Sequence, residues 1–375
     1  MPTIEKRNTH MKWSDRQPDR SLVHRGPRPG VLMLATTLVA ACGDGPVTPV
    51  EPEDSEREAL VALYEAAGGE GWTHRENWLT DKPVGEWQGV GTNADGKVAV
   101  LRLIDNGLKG TLPAELGDLR ALRGLYLDFN RLGGRIPAEL AGLGELVHLH
   151  LQNNEFDGSI PAGLGKLDKL EELFLGHNEL TGSIPGELGG LGSLKQLVLD
   201  WNELDGSIPP ALGNLGNLEF LSLWHSGVGG EIPPELGNLP KLEVLDLNRN
   251  RLTGPIPDEL GNLPALRYLL AEDNELSGPV PASLGDIPAL EWIRLIHNRL
   301  EGPLPPELAN ASRLEELLLT GNRLTGPIPA GFTRLNAMYA FRWDRNDGLC
   351  APADQEFRDW LARVGYAIGP TCGEG

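Results

Sequence analysis

Between residues 98 and 349, apolar and polar positions follow a fixed frame, set out by Leu242–Leu263, LEVLDLNRNRLTGPIPDELGNL. Leu245 and Leu247 flank Asp246, the alternation of a strand with one buried face. Asn250 closes the strand, and Leu252 and Ile256 continue the inward set. Pro257 stands where a backbone donor can be spared, and Gly254 permits a conformation closed to side chains. Leu260 and Leu263 complete the core from the far side of the coil. The frame returns every 24 residues, with Asn106, Asn130, Asn154, Asn178, Asn202, Asn250, Asn274, Asn298, Asn322 and Asn346 in register and Ser226 in the remaining place. A fixed period of this size predicts a solenoid, in which each unit buries its apolar face against its neighbours. The asparagine is expected inside the turn, where its amide bonds backbone groups that would otherwise be buried unpaired.

The pattern LxxLxLxxNxLxGxIPxxLGxL resembles the leucine-rich repeat, specifically the plant-type subclass of receptor-like kinase ectodomains and polygalacturonase-inhibiting proteins. Its GxIP element stands at Gly158–Pro161, Gly182–Pro185, Gly206–Pro209 and Gly326–Pro329. The resemblance spans about ten full units and a partial eleventh. It implies an α/β solenoid: a curved right-handed coil with a concave parallel sheet of about 11 strands and helical caps. It implies no activity, because the family shares a scaffold and not a chemistry.

Both open ends of a solenoid need covering. Residues 55–97 are expected to form the N-terminal cap. Ser55-Glu56-Arg57-Glu58 has capping-box spacing, and Leu60, Leu63, Tyr64 and Ala67 share one helical face. Trp72, Trp78 and Trp87 fill the core of that cap, and Asp95-Gly96 turns a hairpin into the first repeat strand. At the other end, residues 350–375, Phe357, Trp360, Leu361 and Val364 predict a second amphipathic helix.

The 48 glycines and 30 prolines are periodic turn punctuation, so composition does not argue for disorder. The N-terminus places the protein. Basic residues precede an apolar run from Val31 to Ala41, too short to span a bilayer and read as the core of a signal peptide covering residues 1–41. Leu38-Val39-Ala40-Ala41-Cys42 resembles a bacterial lipoprotein cleavage box, which implies a lipid on Cys42. Met11 is an alternative start. Residues 42–54 are acidic and proline-rich and read as a tether. These features predict an extracytoplasmic protein anchored to a bacterial membrane by that lipid alone, with plain secretion as the alternative. Setting Cys42 aside leaves Cys350 and Cys372 as an even pair in an oxidising compartment, where a disulfide contributes roughly 3 kcal/mol. The formal charge of −20 repels phosphate backbones and anionic surfaces, so nucleic acid is not an expected partner.

Function is expected on the concave sheet, where residues between the inward leucines point outward. Three columns there carry Tyr126, Phe129, His150, Phe174, His177, Trp201, Trp224 and His225 within repeats two to six. Exposed rings concentrated in this way mark a binding surface. The competing reading is that they stabilise the sheet by packing across strands. From repeat seven onward Asp246, Arg249, Asp273 and Arg294 suggest a polar rim. In the sixth repeat, Ser226 and Val228 replace the usual asparagine and leucine, a departure that substitution without function explains as well. A metal site can be drawn from His148, His150 and His177, and Asp200 beside His177 imitates part of a catalytic arrangement. A flat sheet encloses neither, and no nucleophile elbow or phosphate-binding loop accompanies them, so no metal, cofactor or catalysis is expected. The expected role is a monomeric recognition module for a protein or peptide. Glycan binding, hydrolase inhibition and a surface spacer are the alternatives.

Overall fold

The computed structural model describes residues 54–373. The signal peptide, Cys42 and nearly all of the tether lie outside the described residues. A helix, α1 (Asp54–Ala66), opens the described chain. It already includes Asp54, so Ser55 lies within the helix and is not its cap. Glu56 is turned inward and accepts a hydrogen bond from the Val98 amide at 3.1 Å, which ties α1 to the first repeat strand. Tyr64, Trp72, Trp78 and Trp87 pack as one aromatic core, with neighbouring centroids 4.8–5.9 Å apart.

One 13-stranded sheet runs the length of the coil. The N-terminal cap supplies β1 (Val90–Thr92), antiparallel to β2 (Val98–Arg102). From β2 onward the strands are parallel and arise once per repeat. They are β3 (Gly124–Tyr126), β4 (His148–His150), β5 (Glu172–Phe174), β6 (Gln196–Val198) and β7 (Phe220–Ser222). There follow β8 (Val244–Asp246), β9 (Tyr268–Leu270), β10 (Trp292–Arg294), β11 (Glu316–Leu318) and β12 (Ala340–Arg342). The C-terminal cap adds β13 (Tyr366–Ile368). Register advances by 24 residues at each step, for example Leu149↔Leu173 and Leu173↔Leu197. The far side of each coil is one turn of 3-10 helix begun by the proline of the repeat, as Pro161 precedes Ala162–Lys166. Shorter parallel ladders join the Glu155–Gly158 type of segment between coils.

The asparagines hold the coils together. Asn178 donates to the carbonyls of Leu175 in its own coil (3.0 Å) and Leu151 in the preceding one (3.1 Å), and accepts from the Phe156 amide (3.0 Å). Asn154, Asn202, Asn274, Asn298 and Asn322 repeat this set at the same offsets. Ser226 cannot reach as far. Its hydroxyl donates to Leu223 O at 2.8 Å, and its own backbone carbonyl accepts from Leu204 N at 2.8 Å in place of the missing amide oxygen. Gly227, at φ +89°, allows this shift, since a Cβ there would meet Leu204 O at 2.5 Å.

The C-terminal helix α2 (Gln355–Leu361) buries Phe357 and Trp360, and Asp354 caps it by accepting from the Phe357 amide at 2.9 Å. Cys350 and Cys372 form a disulfide that closes this cap.

An Asn202→Ala change removes the partners of the Leu180 amide and of the inter-coil bond to Leu175 O. With about 1–3 kcal/mol for each buried group left unpaired, a loss of about 3 kcal/mol is expected in urea unfolding. A loss under about 1 kcal/mol would mean that water or relaxation replaces the amide.

Candidate functional site on the concave face

The columns of the concave face do not have equal standing. Residues between the inward leucines sit on the strands and are at most half exposed beyond Arg102. The residue just before each asparagine lies past the strand end in the left-handed region. Asp105, Phe129, Asn153, His177, Trp201, His225, Arg249, Asp273, His297 and Arg345 have φ between +47° and +58°, with Gly321 at +73°. This conformation swings the chain inward and delivers the asparagine to the core. It is hard for β-branched side chains, and none occurs in this column, whereas Ile104, Ile296 and Thr320 occur one residue earlier. Small polar residues and glycine bear the conformation best. Phe129 and Trp201 occupy it nonetheless, 54% and 36% exposed.

The rings form two ladders. In the first, Tyr126 meets His150 edge-on at 4.9 Å, and His150 stacks on Phe174 at 4.4 Å. In the second, His177 stacks on Trp201 at 5.7 Å, and Trp201 meets Trp224 at 5.6 Å and His225 at 4.3 Å. Phe129 appears in neither ring ladder. Cross-strand packing therefore accounts for Tyr126, His150 and Phe174, which are half-buried. It accounts less well for Phe129, Trp201, His177 and His225, which are exposed.

The expected polar rim needs correction. Asp246 is buried, 3% exposed, between Ser222 and Leu270 on the neighbouring strands, which are buried as well. Arg294 lies half-buried against Glu316 at 2.7 Å. Asp273 sits between His297 (2.8 Å) and Arg249 (3.6 Å). These charges are engaged with one another. Beside Trp201, a pocket of about 490 Å³ is lined by Asn202, Glu203, His225, Gly227, Arg249, Asn250 and Arg251, at the repeat where Ser226 replaces asparagine.

Sequence reasoning omitted a further concave column, one strand step earlier, that holds His148, Glu172, Gln196, Phe220, Tyr268, Trp292 and Glu316. The alternation that exposes Tyr126 and His150 exposes this column too. Within it, Glu172 Oε2 bonds His148 Nδ1 at 2.9 Å and His150 Nε2 at 2.8 Å. The third group beside the two histidines is Glu172, not the His177 of the arrangement that could be drawn from the sequence. The Asp200 carboxylate does not serve His177 either; it accepts from Ser222 Oγ and from the Trp224 amide (2.9 Å).

Comparison with known proteins fits this architecture. Sequence signatures described as leucine-rich repeat region and leucine-rich repeat match residues 96–212, 216–276 and 313–335. The chain is a plant-type leucine-rich repeat protein. It is 34% identical over 104 residues to phytosulfokine receptor 2 of Arabidopsis thaliana, a match covering 27% of this chain and 10% of the receptor. Among solved structures it is similar to the ectodomain of the Arabidopsis thaliana receptor kinase GASSHO1/SCHENGEN3 in complex with CASPARIAN STRIP INTEGRITY FACTOR 2. That similarity has a TM-score of 0.66 at 32% identity and covers 84% of this chain but 35% of the ectodomain. A plant ice-binding protein matches with a TM-score of 0.69 at 28% identity, over 87% of this chain and 99% of its own.

Two acids lie beneath the tryptophans of this leucine-rich repeat protein. Burial pushes the Asp200 carboxyl up to about 6, against the hydrogen bonds from Ser222 and Trp224. Burial and then proximity to Asp200 push Asp246 up to about 8. An unfolded aspartate titrates near about 3.9. Between about pH 4 and pH 8 the folded chain therefore binds more protons than the unfolded one, and stability falls as pH rises through that window. For Glu172, burial acts upward but the bonds from His148 and His150 prevail, holding it at about 2. It acts in the opposite sense, below the range of these aspartates. Asp246→Asn is expected to raise the thermal midpoint at pH 8 and to remove most of its decline between pH 5 and 8. An unchanged slope would exclude Asp246 as its source.

Proposed function

We propose that the protein is a non-catalytic, extracytoplasmic recognition module. Its concave face binds a peptide or an extended protein segment between repeats two and seven. The observation that carries this reading is the pair of large exposed rings, Phe129 and Trp201, held in a left-handed backbone that small polar residues occupy more cheaply. Strained residues concentrate where a surface is used. Trp201, Trp224 and His225 form an aromatic anchor, and the adjoining pocket, with Arg249 and Arg251 beside Glu203, offers polar groups of both signs. The similarity to a receptor ectodomain solved in complex with CASPARIAN STRIP INTEGRITY FACTOR 2 supports the same reading.

For the location the reading rests on the sequence alone, with secretion as the alternative. A lipid on Cys42 and a short acidic tether would hold the solenoid at a bacterial membrane, with Cys350–Cys372 stable in that oxidising setting. A second reading is adsorption to ice, favoured by the match along nearly the whole length of the plant ice-binding protein. It predicts inhibition of ice recrystallisation that survives changes to the concave rings.

The test immobilises the full chain beside a Trp201→Ala/Trp224→Ala variant and passes over both a peptide library, envelope proteins and a glycan panel. A peptide or protein ligand is expected to bind the parent and to lose at least about 30-fold in affinity on the folded variant, as for truncated central aromatics. Equal binding by both would remove the site from this patch. Retention on glycans alone would favour sugar stacking on the same rings.

A further inference from the structure

We propose that His148, His150 and Glu172 form a binding site for one divalent transition-metal ion of the zinc class. His148 and His150 lie on the concave side of β4, and Glu172 is paired with His148 on β5. One carboxylate oxygen already faces a nitrogen of each ring, at 2.9 and 2.8 Å, and the three donor atoms lie within 4.8 Å of one another. Zinc bonds to imidazole nitrogen and carboxylate oxygen run about 2.0–2.2 Å, which places neighbouring donors about 3.3 Å apart around a tetrahedral ion. To admit the metal the carboxylate withdraws by a few tenths of an ångström and the two imidazole nitrogens, now within 4.8 Å, draw together to about 3.3 Å, exchanging two hydrogen bonds for three coordinate bonds.

The imidazoles are held in place. Tyr126 stacks on His148 at 5.8 Å and meets His150 edge-on, and Phe174 stacks on the other side of His150 at 4.4 Å. These contacts restrict both rings, so part of the ordering cost is already met, and small ring rotations bring the nitrogens onto the ion. A second observation points to the same spot. Among the described residues, Asp128 Oδ1 and Gln152 Oε1 are the buried side-chain oxygens without a hydrogen-bond partner. Register places them side by side, each two residues beyond the Tyr126–His150 pair. Such orphan oxygens suit a metal-bound water as acceptors.

The donor set selects the metal. Two nitrogens and one carboxylate suit zinc, cobalt or nickel, whereas calcium and magnesium require more oxygens. The side chains of His148, His150 and Glu172 remain 31%, 15% and 23% exposed, so the ion can enter from the groove. Three protein ligands leave a coordination position open toward that groove, where water or a donor from a bound partner completes the sphere.

The experiment is calorimetric titration of the full chain, made without a polyhistidine tag and stripped by chelator, with zinc chloride and cobalt chloride. One ion per chain is expected, with no heat from calcium or magnesium, and with cobalt giving a visible d–d band abolished by excess chelator. His150→Ala and Glu172→Gln are each expected to weaken zinc at least 10-fold, while His297→Ala, which alters a separate His–Asp pair, leaves it unchanged. Absence of zinc binding by the parent would overturn the proposal. So would full-strength binding by Glu172→Gln and His150→Ala, which would place the ion on other histidines. Should a variant misfold, a zinc-induced rise in the parent's thermal midpoint and the cobalt spectrum decide the matter alone.

Discussion

Each coil depends on one side-chain amide that bonds the backbone of two coils at once. Without it, the inward turn after every strand would bury amides and carbonyls that no secondary structure satisfies, an expensive defect in an apolar core. Because the amide reaches both its own coil and the preceding one, no coil is complete alone. The sheet register, the 24-residue period and the need for end pieces all follow. The N-terminal cap illustrates this. Asn106 has no earlier repeat to bond, and His74 takes that role, its amide donating to Asn106 at 2.6 Å and its carbonyl accepting at 2.9 Å. At the far end Trp343 donates to Ile368 of β13, so the last repeat strand meets backbone too.

The surface available for recognition is what this construction leaves over. The left-handed residue before each asparagine is required by the inward turn, yet its side chain projects outward and meets at most its counterparts in neighbouring coils, as Asp273 meets Arg249 and His297. It is the freest position in the repeat for recognition and the most restricted in side-chain shape. Strand positions are the reverse: any shape is allowed, but neighbours at strand spacing compete for the same space, as Tyr126, His150 and Phe174 do.

Much of this was legible in the sequence. The leucine frame gave inward faces and repeat number, because period alone determines which side chains share a face, while parallel strands came from the resemblance. The asparagine's role could be argued from its chemistry. Burial on the concave side could not. Asp246 reads as a surface acid beside Arg249, but whether an outward residue is covered depends on the size of side chains 24 residues away, and Asp246 is flanked by Ser222 and Leu270. Glu172 went unnoticed because attention fell on rings, and its significance lies in a cross-strand meeting with His148 and His150. The left-handed column leaves a sequence trace, the absence of β-branched residues, that becomes readable once the conformation is known.

Ser226 has a mechanical consequence. Where other coils are laced to the preceding one by an amide that both gives and receives, this one offers its own carbonyl to Leu204, and its Ser222 hydroxyl and Trp224 amide bond the Asp200 carboxylate. In a chain whose units touch only their neighbours, strength under tension is set by the poorest joint. The joint between the fifth and sixth coils is thus the one that leans on a buried carboxylate, Asp200, where the others use an amide. That seam passes beside Trp201 and Trp224, so whatever spans both rings would also act as a clasp across it.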